Sequence, residues 1–556
     1  MVALVAMRNG INSREQHHNP GQALACSPLL FIMAAAFAVV APFFFLGIAS
    51  GHDFEFHLHS WMEVLTQWRQ GTFYPRWAAL AHYGYGEARF IFYPPASWIL
   101  GAALGAVLPW KIVPGVYVGL SLTLSGWSMF RVAQRWFNRN DALLMAVIYA
   151  ANPYYVVIVY WRSAYAELLA GALLPLLLLC IVEIDVRGRE LIVPMSLIVA
   201  AAALTNVPAS IIVNYSLLLL ACTLAIRQRS PKILLHAAAA GLLGTAIAAF
   251  YIVPAFYEQK WIDIAQVLSP GVRPEDNFLF TTTADPDHNH FNRLISLLVA
   301  AELAVLAVTL FISRVRRQEQ QPWWILLVWT CASALLMFSV SAVIWLYLPW
   351  LCFVQLPWRW LLCLNLSLAL LVPAAWRNWL PRASAFLLLF GVVAWTGLRI
   401  QPPWWDHAGD VSDMVTAHLS GAGYEGTDEY VPAGVDPYDI NLDAPLVALH
   451  PDGPLRVQVQ RWNAATKLFT AEVDRPGKLV LRLFNYPAWQ VEVNDRKVET
   501  GSRDHTGELL IPVAAGENRV RISFVRTWDR TAGDIVSLVS IAGLLLWFLR
   551  ERERAK

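Results

Sequence analysis

Charge is scarce in this sequence: Asp, Glu, Lys and Arg make up 15% of its 556 residues, against about a quarter in soluble domains. The deficit comes from long apolar runs. Segments 29–49, 166–184, 208–226, 233–254, 293–313, 323–346 and 533–549 each reach or approach the ~20 apolar residues that cross hydrocarbon. The net charge of only +2, with no basic patch interleaved with aromatics, argues against nucleic acid as a partner. Cysteine is sparse too: Cys26, Cys180, Cys222, Cys331, Cys352 and Cys363 include none in 400–532 and show no metal-type spacing, which argues against a disulfide framework. Cys26 follows Ala23-Leu24-Ala25, but the polar residues His17 to Pro20 stand where the apolar part of a signal peptide belongs. The first apolar run therefore reads as an uncleaved signal anchor, not a lipoprotein leader. No Walker, GxGxxG, GxSxG or HExxH motif occurs in a fitting context, so nothing points to a nucleotide, serine-hydrolase or zinc-protease site.

What is present fixes a topology. Short cytoplasmic loops are enriched in Lys and Arg. Arg131, Arg135 and Arg139 form one such group, and Arg187 with Arg189 another. Arg227, Arg229 and Lys232 form a third and Arg314, Arg316 and Arg317 a fourth, and the tail 550–556 carries four basic residues. Placing all of these inside puts 50–92, 160–165, 255–292, 347–358 and 400–532 outside. The expectation is a polytopic α-helical membrane protein of about 12 spans, both termini cytoplasmic. In that scheme 93–108 is a juxtamembrane or re-entrant piece and 112–130 crosses. The tail 1–28 precedes a transmembrane domain at 29–399, a β-rich domain occupies 400–532, and a last helix at 533–549 leads into the tail 550–556. In 400–532, alternating segments such as Leu455 to Gln460, Leu479 to Phe484, Trp489 to Val493 and Arg519 to Phe524 lie between turn signals at Asn494-Asp495 and Gly516-Glu517-Asn518. That pattern reads as an antiparallel β-sandwich. In loop 50–92, Phe54, Leu58, Trp61, Leu65 and Trp68 recur at helical spacing up to Gly71, which predicts a short amphipathic helix lying on the membrane surface.

Charged side chains at a membrane boundary are costly and point to function. Three groups stand out on the outer face. His52, Asp53, Glu55 and His57 follow the first span; Asp53 could equally cap the helix that starts at Phe54. Arg162, Tyr165 and Glu167 join two spans, with Glu167 inside an otherwise apolar stretch; simple pairing of Arg162 with Glu167 is the plain alternative. Gln355 and Arg359 open a third span, where the planar guanidinium suits a lipid phosphate and an interfacial anchor is the alternative. Asp285, Asp287, His288 and His290 have the residue types of a divalent metal site, though such a run more often forms a solvated turn.

These residues carry a resemblance. His52 to Leu58, Gly71 to Trp77, Phe92-Tyr93-Pro94-Pro95, Arg162 to Glu167, Gln355 to Arg359, Asn485 to Trp489 and Arg530 to Gly533 resemble the GT-C superfamily of membrane glycosyltransferases. More narrowly, they resemble its bacterial branch of "6-pyruvoyl-tetrahydropterin synthase-related" membrane proteins and, toward the C-terminus, YfhO-like proteins. The histidine pattern of a soluble pterin synthase is not present. The resemblance implies an inverting transferase in the bacterial cytoplasmic membrane. It implies a polyprenyl-phosphate-sugar donor and a glycan, lipid or protein acceptor, with membrane lipid around the site. An acidic residue of the first outer loop, mapping onto Asp53, would be the general base, with Glu55, His57 and Glu167 as further catalytic candidates and Arg162, Arg359 and Gln355 near the donor phosphate. Some members position a metal with this acid. The loop has Asp53-Phe54-Glu55 in place of Asp-x-Asp, so a need for Mg or Mn stays open. A lipid-linked glycan transporter and a scaffold displaying the β-domain are the competing readings. The first would need broken, charged helices near mid-membrane, often in repeated halves, and no such repeat is evident.

Overall fold

The computed structural model describes residues 27–316, 323–376, 404–554 and the isolated positions 378, 380, 382, 384, 391 and 395. The remaining part of the 382–403 stretch, and with it any span there, lies outside the described residues. The first apolar run starts at Pro28, a proline at the first helical turn where no N–H is missed, and is bent near Pro42 into Pro28–Val40 and Phe43–Leu46. By length and composition, the described residues hold seven helices able to cross a membrane, or up to nine if two bent pairs each count as one span. The expected 12 is not confirmed. Helix Pro95–Gly105 has only 11 residues, about 16 Å at 1.5 Å per residue, too short for ~30 Å of hydrocarbon. Tyr165–Thr205 runs as one long apolar stretch, interrupted where Gly188 takes φ 52°.

The C-terminal domain is the expected sandwich. Strands β1 (Ile48–Ala49) and β2 (Trp405–Asp406) form a two-stranded clip outside it. The sandwich uses β3 (Val447–His450), β4 (Leu455–Trp462), β5 (Thr466–Val473), β6 (Gly477–Phe484), β7 (Trp489–Val493), β8 (Arg496–Val498), β9 (Gly501–Ser502), β10 (Glu508–Val513) and β11 (Gly516–Phe524). The sheets run β3-β6-β10-β9 and β4-β5-β11-β7-β8, antiparallel throughout. Asn494 and Asp495, at φ 51° and 62°, make the tight β7–β8 turn, the positive-φ geometry that hairpins favour. Alternate side chains of β5 (Phe469, Ala471, Val473) and β11 (Val520, Ile522) are buried, so each sheet presents one face to a shared core. Residues 404–446 are not strand-rich beyond β2: they form helix Ala408–Ser420 and a loop wrapped over the bundle.

The five segments that charge placed outside touch one another. β1, at the entry to the first loop, pairs with β2, and Ser50 N–H donates to the Trp404 carbonyl at 2.8 Å. Asp53 N–H donates to the Arg162 carbonyl at 2.9 Å. Gln355 Nε2 donates to the Val267 carbonyl at 2.8 Å. Glu258, on helix Ala249–Glu258, accepts from Arg530 Nε and Nη2 at 2.7 and 2.8 Å and from Tyr486 OH at 2.7 Å. Those last residues belong to two of the short motifs picked out in the sequence; they tie the sandwich and the final helix, Trp528–Arg554, to the bundle.

The first-loop helix forms at Phe54–Arg69, as its periodicity predicts, and stops before Gly71 at φ 89°. It does not lie on the membrane surface. Eleven of its residues are buried, because the C-terminal domain roofs it. Its polar side chains find protein partners: Glu63 accepts from Leu80 N–H at 2.6 Å, Gln67 donates to the Trp77 carbonyl at 2.9 Å, and Thr66 bonds His418 at 3.0 Å. Below it, Gly101 leaves room for the Trp61 ring, which a Cβ there would meet at 2.1 Å.

Candidate active site

Local sequence sets the geometry. Asn152 caps a new helical turn by accepting Tyr155 N–H at 2.9 Å, with Pro153 at the first position. The chain then widens into a π-turn at Ile158–Arg162 and reverses at Ser163, φ 50°. Wide turns of this kind recur where a side chain has to be re-aimed at a functional site. Ser163 Oγ accepts Gly51 N–H at 3.0 Å and donates to the Ala49 carbonyl at 2.9 Å. A Cβ at Gly51 would lie 2.6 Å from the Arg162 carbonyl carbon, so only glycine allows this approach. Loop one is thereby fastened to the Arg162 turn.

Glu167, 1% exposed, lies at the centre. Its Oε2 takes Arg162 Nη1 at 2.8 Å and Arg359 Nε at 3.1 Å, and its Oε1 takes the Tyr154 hydroxyl. Arg359 Nη1 also donates to the Val354 carbonyl at 2.8 Å and to Gln355 Oε1 at 2.9 Å. Gln355 sits in an unusual backbone conformation, φ 64° ψ −61°, just before Pro357 starts the turn that delivers Arg359. Asp53 completes the set: its Oδ2 stands 3.8 Å from Arg162 Nη2, and its side chain is 39% exposed while Arg162 is 7% exposed. Two guanidinium groups and two carboxylates thus meet, and only Asp53 offers substantial surface. Asp53 occupies the N-cap position of helix Phe54–Arg69, yet its side chain makes no capping bond. A carboxylate at an N-cap normally satisfies an orphan N–H; this one turns to Arg162 instead.

The other expected residues separate. Glu55 is exposed and its carboxyl is pushed up by partial burial and by the nearby Asp406 and Glu425. His57 is buried, with its Nε2 unpartnered and its ring stacked on Tyr165 at 5.3 Å. Burial lowers it to about 4 against the pull of Asp53, so it is neutral at pH 7. His52 lies beside the rings of Phe291 and Trp404. Asp285, Asp287, His288 and His290 do not gather. Asp285 Oδ1 accepts the N–H of Asp287 at 2.9 Å and of His288 at 3.3 Å, starting helix Pro286–Arg316. His288 Nε2 faces the Asp276 carbonyl at 3.0 Å. Among the described residues no three His, Cys, Asp or Glu side chains are grouped to hold a metal ion.

Three groups escaped sequence reasoning. Tyr154 lies in an apolar stretch with no charge to flag it. Glu302, in helix Pro286–Arg316, is bonded by Asn365 Nδ2 at 3.1 Å; an acid inside an apolar run is a readable signal that could have found it. Glu87 ties Arg89, at 2.5 Å, to His82, at 3.0 Å, while Arg89 lies over the Phe56 ring at 4.2 Å. That cluster braces the loop-one helix.

The buried histidines around that helix each contribute stability that is lost in acid. Burial lowers His57 to about 4, His59 to about 3 and His418 to about 4. At these three sites the unfolded chain binds more protons than the folded one below pH 6.5, and their contribution to stability falls as pH drops through that range. Between pH 6.5 and 5 each costs up to about 2 kcal/mol. Glu63, raised to about 6, and Glu429, raised to about 7, both by burial, act in the opposite sense, and burial also raises Glu55 and Asp406. The change in wild-type melting temperature between pH 7.5 and 5, measured in detergent, is the reference. His59→Phe, which keeps the stack on Tyr424 (centroids 4.1 Å apart), should lose less on acidification than the wild type; an identical change in the two proteins would reject the assignment.

Residues 90–401 match the profile of the 6-pyruvoyl-tetrahydropterin synthase related domain, a membrane-protein family. The chain belongs to that family. The matched range of this PTPS-related protein contains Arg162, Glu167, Gln355 and Arg359 but stops short of Asp53 and the sandwich. No curated protein matches the sequence. Among solved structures, arabinofuranosyltransferase AftD from Mycobacteria aligns at TM-score 0.39 and 17% identity, over 68% of this chain and 27% of that one. The apo oligosaccharyltransferase of Archaeoglobus fulgidus aligns at TM-score 0.38 and 12% identity, over 73% of this chain and 57% of that one. The PTPS-related chain thus spans about a quarter of the first and just over half of the second. Likeness this low carries no argument about activity.

Proposed function

We propose that this PTPS-related membrane protein is an inverting glycosyltransferase of the GT-C type. In this reading it acts on the extracytoplasmic face of the bacterial cytoplasmic membrane, with both termini in the cytoplasm. It moves a sugar from a polyprenyl-phosphate-linked donor to a glycan, lipid or protein acceptor of the cell envelope. The observation that carries the reading is the Asp53 carboxylate, part-exposed at an N-cap it does not cap and 3.8 Å from the Arg162 guanidinium of an otherwise buried charge cluster.

The chemistry balances on these groups. Asp53 accepts the proton of an acceptor hydroxyl as that oxygen bonds to the anomeric carbon from the face opposite the leaving group. The bond from that carbon to the phosphate oxygen breaks, and polyprenyl phosphate leaves with the electron pair. Arg162 and Arg359, oriented by Glu167 and Gln355, are within the same cluster and can stabilise the charge that grows on the phosphate. His57 and Glu167 act as positioning residues: one is neutral and stacked, the other is fully engaged with two arginines and a tyrosine.

Deleting the gene and profiling lipid-linked sugars by mass spectrometry should show accumulation of one polyprenyl-phosphate sugar, which names the donor. An unchanged lipid-linked pool together with an unchanged envelope glycan would contradict the proposal.

A further inference from the structure

A second place in the molecule has an uncompensated charge. A cavity of about 380 Å³ lies between loop 72–77, helix Ala249–Glu258 and the junction of the sandwich with the final helix. Tyr74, Phe250 and Phe524 give it aromatic walls, and Arg76, Arg526 and Arg530 give it cationic ones. Two of the three cations are already answered. Arg526 pairs with Asp534, and Arg530 is gripped by both oxygens of Glu258. Arg76 is different. Its guanidinium lies over the Tyr74 ring at 4.3 Å, and its buried Nη1 has no hydrogen-bond partner. No carboxylate among the described residues forms an ion pair with it. An arginine does not shed its proton to escape burial, and a buried charge is expensive unless it is paired. Folding has therefore left a cationic fork that lines a cavity, stacked on Tyr74 but with no carboxylate paired to it and its Nη1 unbonded.

We propose that this cavity is a ligand site for the phosphate of a phosphate ester, held on Arg76. The planar fork matches phosphate oxygens, and the rings flanking it suit the carbon part of such an ester. The cavity lies where the last candidate span, Trp528–Arg550, leaves the sandwich, so a lipid headgroup and a water-borne phosphate ester can both reach it. It is separate from the Asp53 cluster. Gln67 lines the cavity and Asp53 precedes the same helix; the 14 helical steps from one to the other span about 21 Å at 1.5 Å each. The proposal does not depend on the transferase reading.

The test uses the full-length protein in nanodiscs, with Arg76→Gln and, as a control, Arg69→Gln at an exposed position nearby. Native mass spectrometry counts retained phosphatidylglycerol in phosphatidylcholine discs, and calorimetry follows glycerol 3-phosphate. At least one ligand should bind the wild type and Arg69→Gln alike and bind Arg76→Gln at least tenfold more weakly. Loss of phosphatidylglycerol alone identifies the lipid headgroup as the source; loss of glycerol 3-phosphate identifies the water-borne ester. Equal binding by all three proteins, or equal weakening in both variants, overturns the proposal. Without ligand, Arg76→Gln should melt at or above the wild-type temperature, since it removes an unpaired charge. A fall of more than about 5 °C would make Arg76 a structural residue and also overturn it.

Discussion

Replacing Asp53 by Asn should lower the turnover of glycan transfer by about 10²–10⁴-fold, the contribution of a positioned general base, with little change in KM. Asparagine keeps the shape and the contact distance to Arg162 but cannot take a proton. The loss therefore belongs to the transition state, about 3–5 kcal/mol of it. Glu55→Gln is the informative companion. Glu55 is exposed and faces Asp406 and Glu425 instead of the arginine pair, so its loss should change the rate by less than about tenfold. A membrane assay with the lipid-linked donor would read both. Retention of full turnover by Asp53→Asn would move the base elsewhere.

Glu167→Ala should be the most destabilising single change in the bundle. Glu167 is the shared partner of Arg162 and Arg359, all three nearly shielded from solvent. Removing it leaves two guanidinium groups buried and facing each other, the situation that costs about 3–5 kcal/mol when one partner of a buried pair is lost. The Tyr154 hydroxyl loses its acceptor at the same time. Arg456→Ala is the contrast: its pair with Glu472 is 3.8 Å long and both side chains are well exposed, so its loss should be nearly silent. Melting in detergent separates the two. If Glu167→Ala melts like the wild type, the cluster does not hold the bundle together.

Much of this was legible in the sequence because it rests on local pattern. The apolar runs, the period-2 strands β4, β6, β7 and β11, and the amphipathic stretch from Phe54 all appear in the structure at nearly the residues the pattern picks. Asp53, Arg162, Glu167, Gln355 and Arg359 were visible as charged or polar groups at span ends, and the fold brings them together. What the sequence could not convey was tertiary. The Phe54–Arg69 helix has the pattern of a membrane-surface helix, because an apolar face covered by protein and one covered by lipid look alike. Nothing local reveals that Leu80 N–H and Tyr424, far along the chain, wait for Glu63. Tyr154 is silent for the same reason: its role exists only because a π-turn aims the Arg162 segment back at Glu167. The short motifs around Tyr486 and Arg530 were noticed as patterns, but their common target Glu258 sits more than two hundred residues away.

The small clip between Ile48–Ala49 and Trp405–Asp406 bears on how this architecture can be dissected. It stitches the exit of the first span to the chain entering the sandwich, directly beside Gly51 and Asp53. Cutting the polypeptide ahead of residue 404 would unpick that seam and bare the apolar back of the Phe54–Arg69 helix. A truncated protein that no longer works would then say only that its lid is missing. Whether the sandwich handles sugar is better asked with point changes along the outward face of β4, where Arg456 to Gln460 stand clear of the core and the seam stays closed.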